Sequence, residues 1–228
     1  MSEDKEIRRF NEDNIIFKIG YIIMINICFL LSISPFLIYL LTLTEESSLI
    51  ILLLLSILTG PALTTLFSVM GKLIREKKVE PLKDFIHFYK LNLVQGIVVA
   101  AVLNALLLIE YIDKNYCVLT GNDQASYLFL FLIIITVLIS FYMYPIISRY
   151  NMGVIYSLKL SLKLIIKNIY VSLFYVLAII LTILMVNLFK ATLFILFAVA
   201  GLLAYLVMLL EMNSIEELKD QIYEKYNK

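Results

Sequence analysis

Long apolar runs separated by short polar stretches account for most of this 228-residue chain. A helix rises about 1.5 Å per residue, so about 20 apolar residues are needed to cross the roughly 30 Å of hydrocarbon in a bilayer. Six runs are close to that length, at about residues 19–41, 49–70, 91–112, 127–148, 169–189 and 191–212. The pattern therefore predicts an all-α fold, a polytopic membrane helical bundle with six transmembrane helices.

The last two runs are separated only by the surroundings of Lys190. About 40 residues are too many to cross a bilayer once, so we interpret this region as a hairpin in which Asn187 and Lys190 supply the polar turn. A bundle of five spans is the alternative. We expect residues 1–212 to form a single transmembrane domain. A short cytoplasmic C-terminal helix is predicted at residues 213–228, since Ser214 and Glu217 have capping-box spacing.

Kinks are predicted at prolines in two of the spans. Gly60-Pro61 lies in the middle of the second run, too close to its start for the helix to end there. The helix must continue to about Met70, with a kink where Pro61 removes a backbone donor and where Gly60 leaves room for the bend or for a neighbouring helix. Pro145 predicts a second kink near the end of the fourth run.

Beyond Pro61 the helix is predicted to have two unlike faces. Its apolar residues recur at spacings of three and four, whereas Thr64, Thr65 and Ser68 gather on the other side with two basic residues. Such a segment can leave the bilayer and lie along its inner surface. The basic side chains expected among the lipid headgroups are Lys72, Arg75, Lys77 and Lys78.

A second basic helix is predicted from Val154 to Lys167. Its apolar residues, which are Ile155, Leu158, Leu162, Ile165 and Ile166, are helically spaced, and Lys159, Lys163 and Lys167 follow at intervals of four. Part of this stretch also alternates like a strand, but an unpaired strand edge beside lipid would leave backbone groups unsatisfied. We therefore expect two amphipathic cytoplasmic interfacial helices, which are candidate contacts for anionic lipid or for a partner protein.

The distribution of Lys and Arg predicts the orientation. Seventeen of the 19 lie in the N-terminal segment, the second and fourth connections and the C-terminal tail, and only Lys114 and Lys190 lie on the other side. Positive residues concentrate in cytoplasmic loops, so both termini are expected in the cytoplasm. The net charge is only +1, and the basic residues are dispersed between the apolar runs. This gives no reason to expect nucleic acid as a partner.

Candidate chemistry is sparse. Cys28 and Cys117 are too far apart in predicted depth for a disulfide, and His87 is the only histidine. We therefore expect no enzyme activity, no metal site and no cofactor. No charge is expected near a span centre, with Glu110 close to the outer end of its helix. The deepest amides are Asn26 and Asn104, which either join helices by hydrogen bonds or line a path for a solute.

The run from Leu58 to Phe67 and the basic segment from Lys72 to Arg75 resemble the Gly-Pro-Ala stretch and basic helix of the YesL-like bacterial membrane proteins, a family of unknown function. Tyr144-Pro145 and the segment from Leu158 to Ser161 are similar to a later part of that family. The resemblance covers about residues 10–211. It implies a multi-pass protein of the bacterial cytoplasmic membrane and transfers no active-site residue.

Relatives of this kind are often suspected of assisting carbohydrate uptake. We therefore expect an accessory or permease-like component associated with solute transport, with membrane lipids and a transporter subunit or a second copy as partners. The alternative is a membrane-organising or regulatory protein that acts through lipid and helix contacts without transport.

Overall fold

A computed structural model describes residues 15–42, 48–188, 197, 199–219 and 222–223. Within those residues the secondary structure is helical, without strands, which confirms the predicted all-α class. The eight helices are α1 (Ile15–Ser32), α2 (Ser34–Leu41), α3 (Leu49–Glu76), α4 (Pro81–Leu119), α5 (Asp123–Ile147), α6 (Val154–Lys167), α7 (Ile169–Leu188) and α8 (Ala200–Glu217).

Three of these helices, α3, α4 and α5, are long and apolar enough to cross a membrane. The number rises to five if α1 with α2, and α6 with α7, each count as one bent span. The sixth predicted span is therefore not among those counted. Its first residues, and the predicted turn at Lys190, lie outside the described residues, as does the N-terminal segment before residue 15.

The first predicted span is a broken helix rather than a single rod. The axes of α1 and α2 differ by 66°, and the break falls at Ile33, just before Ser34-Pro35. Pro35 has no N–H with which to bond the carbonyl group of Leu31, so that oxygen needs another donor. The Ser34 hydroxyl donates to it at 2.8 Å. Hydropathy alone gives no sign of this break, because the residues on both sides are apolar.

Helix α4 is much longer than the span predicted at residues 91–112. Its 39 residues rise about 58 Å, roughly twice the thickness of the hydrocarbon layer. The apolar run at residues 91–112 lies within this helix, so α4 extends beyond that run at both ends. The chain turns between α4 and α5, where Gly121 has a φ of +72° and the Asn122 side chain accepts a hydrogen bond from the Ala125 N–H.

Helices α3 and α4 cross with their backbones almost touching. A Cβ on Gly60 would lie 2.3 Å from the carbonyl oxygen of Gly96 and 2.5 Å from the Cβ of Ala100. A Cβ on Gly96 would lie 2.7 Å from the Cα of Pro61. Small residues allow this close approach of membrane helices. Gly60 thus leaves room for a neighbouring helix. Helices α3 and α5 continue through Pro61 and Pro145, and the kinks at these two prolines stay predictions.

The second half of α3 differs from the predicted surface helix. All residues from Gly60 to Gly71 are buried except Leu63, which is partly buried. The hydroxyls of Thr64 and Thr65 donate to carbonyl oxygens four residues earlier, at 2.9 and 2.7 Å. These polar side chains therefore need no water, and the segment lies in the core of the bundle with other helices around it.

Helix α8 continues past residue 212, where a separate C-terminal helix was expected to begin. Ser214 lies inside α8, and its hydroxyl accepts a hydrogen bond from Asn168 at 2.8 Å instead of capping a new helix. At the other end of α8, the Asn26 side chain of α1 accepts a hydrogen bond from the Gly201 N–H at 2.8 Å. This N–H is one of the four that an α-helix leaves unpaired at its start, so α1 caps α8.

Candidate functional site

Charged side chains join the helix ends on one side of the bundle, which we call the basic end. Lys72 near the end of α3 pairs with Asp84 near the start of α4 at 2.8 Å. Arg149, in the connection after α5, pairs with Glu216 of α8 at 3.1 Å. At the end of α6, Lys167 pairs with Glu217. The two basic segments predicted from sequence are therefore brought to the same end of the molecule.

The connection that follows α5 is anchored to α3 and α4 by buried polar side chains. Ser68 of α3 donates to the carbonyl oxygen of Ser148 at 2.9 Å and accepts from the amide of Asn92 at 2.8 Å. The Gln95 amide donates to the carbonyl oxygen of Met152 at 3.0 Å. Because three elements share these bonds, the position of the connection is fixed relative to the core.

The four cations predicted at the end of α3 have different environments. Lys72 is engaged by Asp84 and, more distantly, by Glu76 at 3.9 Å. Lys77 adopts a left-handed conformation with a φ of 57°, and its N–H closes the helix on the carbonyl oxygen of Leu73. Arg75, Lys77 and Lys78 are exposed, whereas Lys72 is partly buried. Only part of this predicted basic set is thus available to a ligand at the surface.

Helix α6 has the predicted bounds, and four of its residues form a buried face. Two serines and two leucines pack against the bundle: Ser157, Leu160, Ser161 and Leu164. Three of the helically spaced apolar residues face away from it, since Ile155 and Ile166 are each 77% exposed and Leu162 is also exposed. At 100° per residue these three lie on one stripe of the helix, and Lys159, Lys163 and Lys167 lie on the next. The outer surface of α6 is therefore itself amphipathic.

Both amides predicted to lie deepest are used in contacts between helices. Asn104 of α4 donates to the Ser56 hydroxyl of α3 at 2.9 Å. Asn26 accepts the Gly201 N–H, and Gly201 is needed there, since a Cβ on it would lie 2.9 Å from the Asn26 Cβ. These contacts favour the first of the two roles considered for the amides, which is to join helices.

Sequence reasoning missed Glu211, which is fully buried in α8. Its Oε1 accepts a hydrogen bond from the Tyr175 hydroxyl of α7 at 2.8 Å, and its Oε2 has no hydrogen-bond partner. Nearby, the Ser172 hydroxyl donates to the carbonyl oxygen of Ile165, so Tyr142 is the donor in the 2.8 Å Tyr142–Ser172 bond. Glu211 stands at the end of an apolar run, a position at which a carboxylate usually reaches water, and no sequence signal marks its burial.

A cavity of about 420 Å³ lies between α5, α7 and α8. Its wall is almost entirely apolar and includes Phe141 and Tyr175, whose rings stack with centroids 5.1 Å apart. The hydroxyl of Tyr175 is already bonded to Glu211. Asn104 does not lie on this wall, so the cavity is not a polar path through the bundle.

The long apolar helices and their buried polar contacts define the class of protein, a polytopic helical membrane protein. Within that class, residues 22–114 match the family model described as "Protein of unknown function, DUF624". This match includes the Gly60-Pro61 crossing and is consistent with the predicted YesL-like resemblance, which it confirms. Neither a curated protein nor a solved structure matches the chain.

Proposed function

We propose that this protein organises or regulates other components of the membrane through contacts with anionic lipid and with neighbouring helices, and that it carries no solute itself. The observation that carries the proposal is the outer surface of α6, with its adjacent apolar and basic stripes. Helices of this kind lie in the membrane interface, where the apolar stripe enters the acyl boundary and the lysines meet headgroups.

The angle between α6 and α7 supports this arrangement. The two helices differ in direction by 98°, so α6 lies nearly parallel to the membrane plane if α7 crosses it. Ile155 and Ile166 then face lipid, and Lys159 and Lys163 lie beside the phosphates. Each well-placed basic residue near an anionic surface contributes about 1 kcal/mol.

The interior of the bundle also favours contact over transport. A solute path is normally marked by polar groups that face a cavity. Here Asn104 is bonded to Ser56, and the cavity between α5, α7 and α8 is lined by carbon atoms. The described interior thus offers a water-soluble solute few groups to bind.

Lipid binding can be tested with a charge reversal. The Lys159→Glu/Lys163→Glu variant should retain less phosphatidylglycerol than the parent protein in native mass spectrometry, with phosphatidylcholine unaffected. Lys114→Glu is the matched control, because it lies about 45 Å from Asp84 along α4, away from the basic end. Equal retention by all three proteins would refute the proposal.

We also propose that the basic end faces the cytoplasm of a bacterial cell, with both termini on that side. The excess of Lys and Arg at this end supports this orientation. In a background without Cys28 and Cys117, Lys163→Cys should react with a membrane-impermeant maleimide only after cells are opened. Lys114→Cys should react in intact cells, and the reverse pattern would be decisive against this orientation.

An accessory role in solute transport is the second candidate. It is favoured by the exposed lysines of the basic end, which are also suited to contact a cytoplasmic partner: Lys78, Lys83, Lys90, Lys159 and Lys163. Gentle solubilisation should then recover a transporter or an ATPase, and the Lys159→Glu/Lys163→Glu variant should not. Recovery of lipid alone, with no solute flux in proteoliposomes, would leave the first proposal standing.

A further inference from the structure

Two arginine side chains from separate elements meet at the basic end. Arg75 comes from the last turn of α3 and Arg149 from the connection after α5, and their guanidinium groups are close enough to repel each other. Glu76 of α3 and Glu216 of α8 both attract Arg75, and Glu216 pairs directly with Arg149 at 3.1 Å. Tyr150 lies beside them, with the Arg149 guanidinium 5.7 Å from its ring centroid. We call Arg75, Arg149, Tyr150 and Glu216 the arginine cluster.

The arginine cluster contains two buried donors that have no acceptor. These are Nη1 of Arg149 and the hydroxyl of Tyr150. Burial raises the pKa of Tyr150, so its hydroxyl stays protonated and able to donate. Leaving a buried donor unpaired is unfavourable, most of all for a charged group, and native proteins rarely do so without a reason. A bound ligand with acceptor oxygens would give both donors a hydrogen-bond partner.

The charge of the arginine cluster specifies what kind of acceptor fits. The cluster holds two guanidinium groups and the Glu216 carboxylate, and Glu76 also acts on Arg75. The side chains of Glu76 and Glu216 are 57% and 47% exposed, so water screens both carboxylates, and neither accepts a hydrogen bond from the two buried donors. A guanidinium group presents paired N–H donors that match the oxygens of a phosphate. The cluster also lies where helices end, which is the depth of lipid headgroups in a membrane protein of this class.

We propose that the arginine cluster binds a phosphate group, either that of a phospholipid headgroup or a free phosphate. The ligand would accept hydrogen bonds from Arg149 Nη1 and the Tyr150 hydroxyl and would be paired by Arg75. The unpaired atoms are shielded in the unliganded protein, so binding requires a local movement of the side chains around them. This site depends only on the cluster geometry and not on the function proposed for α6.

Free phosphate can be tested on the full-length protein in neutral detergent. Thermal unfolding, followed by circular dichroism at constant ionic strength, should shift upward with added inorganic phosphate. Arg149→Gln and Arg75→Gln should each raise the phosphate concentration needed by about tenfold, as expected for a lost hydrogen bond to a charged group. Lys114→Gln, an equal loss of charge near the other end of α4, should leave the phosphate response unchanged.

Glu216→Gln separates a phosphate site from a structural ion pair. If Arg149 serves only to hold Glu216, Arg149→Gln and Glu216→Gln should lower the unfolding temperature equally, and neither should change the response to phosphate. That result would overturn the proposal. A phosphate site predicts opposite effects, since removing the carboxylate makes the cluster more positive and lowers the phosphate concentration needed. Should Arg149→Gln fail to fold, Arg149→Lys keeps the charge and removes the paired donors.

The source of the phosphate group is decided by a second measurement. Native mass spectrometry compares phosphatidylglycerol with phosphatidylcholine on the parent, the Arg149→Lys and the Glu216→Gln proteins. Less phosphatidylglycerol on Arg149→Lys than on the parent protein identifies a headgroup, whereas stabilisation by inorganic phosphate with equal lipid retention by these two proteins identifies a soluble ligand. If neither signal depends on Arg149 or Arg75, the site does not exist.

Discussion

Gly60 and Gly96 face each other where α3 crosses α4, with only 2.3 Å between an added Gly60 Cβ and the Gly96 carbonyl oxygen. No side chain fits at that distance, so Gly60→Ala must push the two helices apart. Overpacking of this kind costs about 1–3 kcal/mol. We expect a clear drop in the thermal unfolding midpoint, measured by circular dichroism in detergent.

The matched control for this substitution is Gly20→Ala in α1. A Cβ at Gly20 would meet nothing within 4 Å. Alanine is the better helix former, so this change should be neutral or slightly stabilising. Equal destabilisation by the two substitutions would show that the crossing is not as close as described.

The Asn26 contact predicts a loss of stability when α8 is uncapped. Asn26→Ala removes the acceptor of the Gly201 N–H, which has no alternative partner within its helix. Loss of a capping side chain costs about 0.5–2 kcal/mol. Asn104→Ala should cost less, because Ser56 also donates to the carbonyl oxygen of Leu53 at 2.7 Å and so keeps one bond. The measurement is thermal unfolding of both variants, and an inverted order would contradict the cap.

Buried Glu211 predicts an unequal effect of two tyrosine substitutions. Tyr175→Phe leaves the carboxyl group without its only described partner, at a cost of about 1–3 kcal/mol. Tyr142→Phe should be milder, since the Ser172 hydroxyl remains bonded to Ile165. Adding Glu211→Leu to Tyr175→Phe should restore much of the lost stability, because both polar groups are then removed. Failure of this rescue in unfolding measurements would mean that Glu211 has another role.

The Lys72–Asp84 pair predicts a dependence of stability on pH. Partial burial by itself raises the pKa of Asp84, but hydrogen bonds from Lys72 and from the Glu80 N–H outweigh it and lower that pKa. The pKa of Asp in an unfolded chain is about 3.9, so around that pH the folded protein binds fewer protons at this site than the unfolded chain does. The stabilisation is therefore present above that pH and disappears as the pH falls through the lower folded value.

The expected result is that Asp84→Asn has a lower unfolding midpoint than the parent at neutral pH. The difference between the two proteins should shrink as the pH is lowered below about 4. Glu80→Gln is the control, because it breaks only the exposed pair between Glu80 and Lys83, and exposed pairs contribute little. A difference that is constant with pH would rule out this assignment.

The helices could be predicted from sequence because hydropathy and helical spacing are local properties. The bounds of α6 and the turn at Gly121 follow from residues that are close together in the chain. Burial is not local in this sense. Thr64, Thr65 and Ser68 look like the wet side of a surface helix, and only the packing of other helices around α3 shows that their hydroxyls are satisfied inside the bundle.

The candidate sites follow the same division. The basic residues were found, but their partners were not, since Asp84 and Glu216 become neighbours of Lys72 and Arg149 only through the fold. Glu211 gave no signal at all, because a single carboxylate at the end of an apolar run normally marks the helix end. Pro35 is visible in the sequence, but the apolar residues on both sides of it make residues 19–41 look like one continuous span.

The bond between Asn26 and Gly201 joins residues 175 positions apart in the chain. Translation proceeds from the N-terminus, so α1 enters the membrane long before the ribosome has made the backbone group that its amide will hold. The Asn26 amide of α1 is thus synthesised long before its partner on α8. In a nascent chain arrested before residue 201, the Asn26 side-chain oxygen would lack the Gly201 donor.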